Sequence, residues 1–384
     1  MRTAERMQSI QPFHVMALLA RARELEAAGR SIVHMEIGEP DFITPQPVID
    51  AGIHALQDGY THYTPAVGLP ALRQRIAEFY QQRYGVAVDA RRVVITPGAS
   101  AALHLVMAVL VNPGDRVLLA DPGYPCNRNF VYLLNGQPLG IPVTAATAYQ
   151  PDPQQVREVW TEAVAALLVA SPSNPTGTLL GERTLREFHA IAASQGGSLI
   201  VDEIYHGLVY DQQATTALAI SEDIFVVNSF SKYFGMTGWR LGWLIAPPAY
   251  VADIDKLAQN LFLAAPTSAQ HAALRAFDED TITILEARRR EFQQRRDYLL
   301  PALRAIGFEI PVIPDGAFYL YANCSRFTDD SYSFTSRLLE EAGVAITPGI
   351  DFGTHQPETH VRFAYTTSLE NLQEGVQRLW AYLS

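Results

Sequence analysis

Residues 92–121 read RVVITPGASAALHLVMAVLVNPGDRVLLAD: a β-branched run, a Pro-Gly turn, a helical stretch, a second turn and a second apolar run. This is a strand–helix–strand unit. The pattern recurs downstream in ALLVAS (166–171), SLIVDE (198–203) and IFVVNS (224–229), with the periodic ERTLREFHAIAASQG (182–196) among them. Runs that are apolar without alternation belong to strands buried on both faces, so a mostly parallel sheet flanked by helices is expected. The run LGWLIA (241–246) follows too closely for a helical crossover and is expected to lie antiparallel.

Working outward, helices are expected over 15–28, ended by Gly29, over 48–57, and over 71–84 behind Pro70. Past Pro266 the character changes. Residues 267–305 read as one or two long helices rich in Arg, Glu and Gln, and the remainder mixes short strands with a last helix near 369–382. The expected fold class is α/β: a large domain over 45–275, and a smaller α+β domain from 1–44 and 276–384 that includes the interdomain helix.

Composition narrows the function. Basic residues number 29 and acidic ones 40, a net charge of −11, which is unsuited to nucleic acid or an anionic membrane. Cys126 and Cys324 are too few for a disulfide framework or a metal site. The opening MRTAERMQSIQPF has no apolar core of a leader, and Ala101–Val111 is too short to span a bilayer. A cytoplasmic protein without a metal is expected.

Open α/β sheets bind ligands beyond the carboxyl ends of their strands. Following the runs come Gly98, Ala99 and Ser100, then Tyr124, then SPSNPTG (171–177) with Asn174, then Asp202 and Tyr205, then Ser229, Ser231 and Lys232. That set suits pyridoxal 5′-phosphate (PLP). A lysine amine forms a Schiff base with an aldehyde once its pKa is lowered. The pyridine nitrogen needs a carboxylate partner, for which Asp202 is placed. Asn174 and Tyr205 can donate to the ring oxygen, and Tyr124 can stack on the ring. Gly98, Ala99 and Ser100 offer N–H groups at a helix start, joined by Arg240 and Ser229 for the phosphate. Plainer readings exist: Asp202 or Ser100 as a helix cap, Asn174 as a turn residue, Tyr63 and Tyr124 as packing rings, Arg362 as an ion-pair residue. His206 is discounted as a base because Lys232 can do that work.

The string NSFSKYFGMTGWRLGW (228–243) resembles the cofactor-lysine signature of the class I/II aminotransferases, fold type I PLP enzymes of the aspartate aminotransferase superfamily. IGEPDF, HYTPAVGLPALR, TPGASAAL, DPGYP, SPSNPTG, VDEIYHGLVY, PDGAFYLY and VRFAYTTS are similar to that family and fall in its order. The resemblance runs from about residue 9 to the end. It implies an enzyme of amino acid metabolism that moves an amino group between an L-amino acid and a 2-oxo acid by a ping-pong mechanism. It implies that Lys232 binds the cofactor and shuttles the proton, with Asp202 on the ring nitrogen and Asn174 and Tyr205 on the ring oxygen. Gly98, Ala99, Ser100, Ser229, Ser231 and Arg240 would hold the phosphate. Tyr63 would reach the phosphate of a neighbouring subunit, implying a homodimer with shared sites. Gly38, Asn174 and Arg362 would receive the substrate α-carboxylate.

Two other classes compete. A PLP-dependent carbon–sulfur lyase would use the same lysine and ring contacts. A non-enzymatic aminotransferase-like sensor would need an added DNA-binding region, for which the pattern leaves no room. No GxGxxG follows the first strand and no GxxxxGK[ST] occurs, so nucleotide-binding readings lack their motif. One subgroup of aspartate aminotransferases carries a second substrate arginine after the cofactor lysine. Residues 257–274 here contain no Arg or Lys, so aspartate, alanine and aromatic amino acids all stay open. Phe13, Tyr63, Tyr124 and Phe318 are candidates for an apolar wall.

Overall fold

Proline and glycine set many of the element boundaries. Pro70 sits in the first turn of its helix, and Gly85 ends it in the left-handed conformation at φ 71°. The structure is a computed structural model describing residues 2–384. Its first elements are helix α1 (His14–Ala27), the short strand β1 (Val33–His34), and helices α2 (Gln46–Gln57) and α3 (Pro70–Tyr84). Then come β2 (Val93–Thr96), α4 (Ala99–Leu110), β3 (Arg116–Asp121), α5 (Pro125–Leu133) and β4 (Gln137–Pro142). Next are α6 (Pro153–Val159), β5 (Val164–Ala170), α7 (Glu182–Ser194), β6 (Ser198–Asp202), β7 (Phe225–Ser229) and β8 (Gly242–Ile245). Helices α8 (Val251–Leu261), α9 (Thr267–Leu274) and α10 (Glu279–Ile306) follow. The chain closes with β9 (Tyr319–Asn323), α11 (Ser331–Arg337), β10 (Val344–Ala345), β11 (Thr347–Pro348), β12 (His360–Ala364) and α12 (Leu369–Leu383).

The large sheet has the order β2-β8-β7-β6-β5-β3-β4. Its β4, β3, β5, β6 and β7 are mutually parallel, and β8 runs antiparallel to both β7 and β2. The expected mostly parallel sheet, with 241–246 as its antiparallel member, is therefore present. Its strands read as continuous apolar runs because both faces are covered. Leu199 and Val201 of β6 pack into one core layer, while Ile200, Phe225 and Val227 pack into the other.

One strand was not expected from the sequence. Residues 137–142 read QPLGIP, and two prolines with a glycine argue against a strand interior. β4 lies at the sheet edge and pairs only with β3, so proline's missing N–H costs no second ladder.

A second sheet, β11-β12-β9, is antiparallel, and β1 pairs in parallel with β10. Helix α1 packs Leu18, Ala22 and Leu25 against Leu339 and Ala345. The N-terminal residues thus join the C-terminal ones, and Phe13, Val15, Met16 and residues 36–38 reach the large sheet's crevice.

Candidate active site

A cavity of about 250 Å³ opens beyond the carboxyl ends of β3, β5, β6 and β7. Of the residues expected there, Gly38, Ala99, Ser100, Tyr124, Asn174, Asp202, Tyr205, Lys232 and Arg362 all line it. Lys232 Nζ donates to the Gly38 carbonyl oxygen at 2.7 Å. Burial pulls its amine down to about 8, opposed by Glu39 and reinforced by Arg362. The chain has only one other lysine, Lys256. That one is 72% exposed and pairs with Asp253 at 2.7 Å. Lys232 is therefore the only lysine enclosed by the fold.

Asp202 ends β6 with its carboxylate buried. Burial pushes its carboxyl up to about 6, against the Ile204 N–H at 3.1 Å and the charge of Lys232. A carboxylate so placed has room for a further donor such as a protonated ring nitrogen. Tyr205 donates to or accepts from Tyr319 across 3.0 Å, with the Phe318 ring edge-on behind it. Arg362, on β12, is buried among three acceptors. Its Nη1 donates to Asn174 Oδ1 at 2.9 Å, and its Nη2 donates to the Glu36 carbonyl oxygen and to Thr347 Oγ1. Nε of Arg362 is buried without a partner. The Arg362 guanidinium lines the cavity, and its planar fork suits an incoming carboxylate.

The other end of the cavity is built for an anion. Helix α4 begins with no side-chain cap, leaving the N–H groups of its first turn free. Gly98, at φ 82°, precedes it, and a Cβ there would stand 2.7 Å from Arg240 Nη2. The glycine thus lets the guanidinium approach the loop. Arg240 itself holds a left-handed φ of 54° and donates to the Thr237 carbonyl oxygen. Ser229 and Ser231 share a 3.0 Å hydroxyl contact beside Lys232. The donor set fits PLP: a lysine, a buried carboxylate, an open helix start and a cation.

Gly98, Ser229, Ser231, Arg240 and Tyr63 do not line the cavity itself. Tyr63 is 82% exposed. Two of the four aromatic residues expected on an apolar wall are therefore displaced. Tyr63 faces solvent, and Phe318 is turned into the core against Phe292 and Tyr205. Side chains alternate along an extended chain, so Tyr319 takes the cavity-facing place beside Phe318. Its ring lies under the Arg362 guanidinium at 4.2 Å.

Tyr319, Glu36, Thr347, Asp351 and Phe352 line the cavity without having been expected. The loop bearing Asp351 and Phe352 is fastened to the end of β3. Asp121 accepts from the backbone N–H and hydroxyl of Thr354 and from the His355 N–H. Gly123 N–H donates to the Phe352 carbonyl oxygen at 2.8 Å. His206 stays out of this cavity. Its ring lies 3.3 Å from the buried Glu203, and burial pulls it down to about 3 and that acid up to about 8.

The family model for aminotransferase class I and II matches residues 30–379. The chain belongs to that family. It is therefore a PLP-dependent aminotransferase by family. Among relatives of this aminotransferase, the (5-formylfuran-3-yl)methyl phosphate transaminase of Methanocaldococcus jannaschii is 37% identical, with 99% of each chain covered. The valine–pyruvate aminotransferase of Mycobacterium tuberculosis is 38% identical over 97% of each chain. The crystal structure of an aminotransferase from Mycobacterium tuberculosis superposes with a TM-score of 0.96 at 38% identity, covering 100% of this chain and 99% of that one. Among the described residues no helix is long and apolar enough to cross a membrane, and no cluster could hold a metal.

Proposed function

We propose that this aminotransferase moves an amino group from an L-amino acid to a 2-oxo acid by a ping-pong mechanism centred on Lys232. The observation that carries the reading is the enclosure of Lys232 with Asp202 and Arg362 in one cavity, in a chain with a single other, exposed lysine. PLP, when bound, supplies an electron sink at the substrate Cα and carries the amino group between two successive half-reactions.

The chain's own groups do the rest. Lys232 holds the cofactor and, once released, moves the proton at the substrate Cα; its lowered pKa suits that exchange near neutral pH. Asp202 holds the ring nitrogen, Asn174 and Tyr205 hold the ring oxygen, and Tyr124 covers one face. Gly98, Ala99, Ser100, Ser229, Ser231 and Arg240 hold the phosphate. Arg362 and Gly38 orient the substrate α-carboxylate, with Asn174 fixing the guanidinium. The reading goes with a division into 45–275 and 1–44 plus 276–384. It also goes with a homodimer in which the exposed Tyr63 serves the neighbouring site.

Lys232→Ala is expected to abolish turnover and the cofactor's visible band. After borohydride reduction of the wild type, the cofactor mass should lie on the peptide bearing Lys232. Retained turnover in the variant, or mass on Lys256, would overturn the assignment. Release of ammonia and pyruvate without amino transfer would instead favour the lyase reading.

A further inference from the structure

We propose that the cavity selects amino and 2-oxo acids with neutral, apolar side chains in both half-reactions, a proposal that rests on the transamination reading above. Arg362 is committed to the α-carboxylate and Lys232 to the cofactor. No other lysine or arginine lines the cavity among the described residues. Arg128 does not line the cavity, and its Nη2 donates to the Phe352 carbonyl oxygen at 3.2 Å. The stretch 257–274 holds no basic residue other than His271, which stacks on Tyr60 at 4.1 Å.

What remains for the substrate side chain is Phe13, Val15, Met16, Leu103 and Phe352. Two carboxylates interrupt this wall, Glu36 and Asp351, and both are turned to structural use. Asp351 accepts the N–H groups of His14 and Val15 at 2.8 Å each, capping α1. Glu36 Oε1 bonds His34 Nδ1 at 2.7 Å, and its Oε2 is buried without a partner. A second substrate carboxylate would leave water for apolar surface with two acids near it and no uncommitted lysine or arginine of this chain in the lining, which is strongly unfavourable.

Donor and acceptor pass through the same cavity, so the same wall meets both. The donor's C–N bond becomes C=O as the acceptor's C=O becomes C–N. One Cα loses the proton and the other gains it, so no outside oxidant is needed. An apolar amino acid should therefore be paired with a monocarboxylic 2-oxo acid such as pyruvate rather than with 2-oxoglutarate.

The test uses the PLP-loaded enzyme in single turnovers with valine, leucine, aspartate, glutamate and lysine, timing the loss of the visible band. Calorimetry with unreactive isovalerate and succinate reads binding alone. Valine or leucine should react at least about a hundredfold faster than the dicarboxylates. Pyruvate should outrun 2-oxoglutarate in the return step, and isovalerate should bind more tightly than succinate. Aspartate, glutamate or lysine matching the apolar acids would overturn the proposal while leaving transamination intact. No band change with any amino acid would overturn transamination, and the proposal with it. Met16→Arg, at the mouth of the cavity, should raise aspartate reactivity relative to valine; an unchanged ratio would refute this placement of the side chain.

Discussion

Lys232 sits between two needs, a neutral amine to attack an aldehyde and a charged one to be stable in water. Burial settles the conflict by bringing its pKa from 10.5 down to about 8. In the cofactor-free protein the amine is charged below that value and neutral above it. The rate of PLP capture, followed by absorbance, should therefore rise through about pH 8 and level off, rather than climb towards 10.5. At Arg362 the geometry of the guanidinium matters more than its charge. Arg362→Lys keeps the charge but loses the fork that reaches Asn174, Glu36 and Thr347, and should lower kcat/KM by at least about a hundredfold, a loss of ~3 kcal/mol. The residues at strand ends were legible because a strand end is itself a local pattern. Asp351 and Phe352 were not, since they reach the cavity on a loop after β11 through packing that no local motif records. Tyr319, though within the PDGAFYLY stretch, was passed over for its neighbour Phe318. The scarcity of lysine was open to view in the composition and is the simplest pointer to Lys232.

At the level of elements, apolar runs revealed the inner strands because burial on both faces leaves no polar position to interrupt them. The edge strand β4 escaped because an edge tolerates the prolines that disguise it. The long helices were visible as periodicity, but not what ties them down. Arg295 of α10 is a buried cation that pairs with Asp41 at 2.8 Å and Glu291 at 2.6 Å and donates to the Thr366 carbonyl oxygen. Its guanidinium also lies 4.9 Å from the Phe42 ring. Arg295→Ala should destabilise the fold by about 2 kcal/mol, less than for a fully buried pair because Asp41 and Glu291 can both reach water. Chemical denaturation of the cofactor-free protein measures this directly, and a change under ~0.5 kcal/mol would show the anchor to be unimportant.

For the whole molecule, the exposed Tyr63 and the proposed sharing of sites can be tested together. Lys232→Ala and Tyr63→Ala chains, each impaired alone, should recover activity when refolded as a mixture. The hybrid dimer has one site with an intact lysine and the tyrosine of its partner. No recovery, or a monomer by sedimentation, would sink the shared-site reading. The sheet order also carries a consequence for how this enzyme comes into being. β2, which leads into the anion-holding start of α4, has no strand neighbour but β8. On the ribosome that edge stays open until residues 242–245 emerge, long after its own synthesis. Such distant pairing slows folding and leaves a newly made chain exposed to misassociation in the interval. The phosphate cradle is thus secured only once the chain has been made as far as β8.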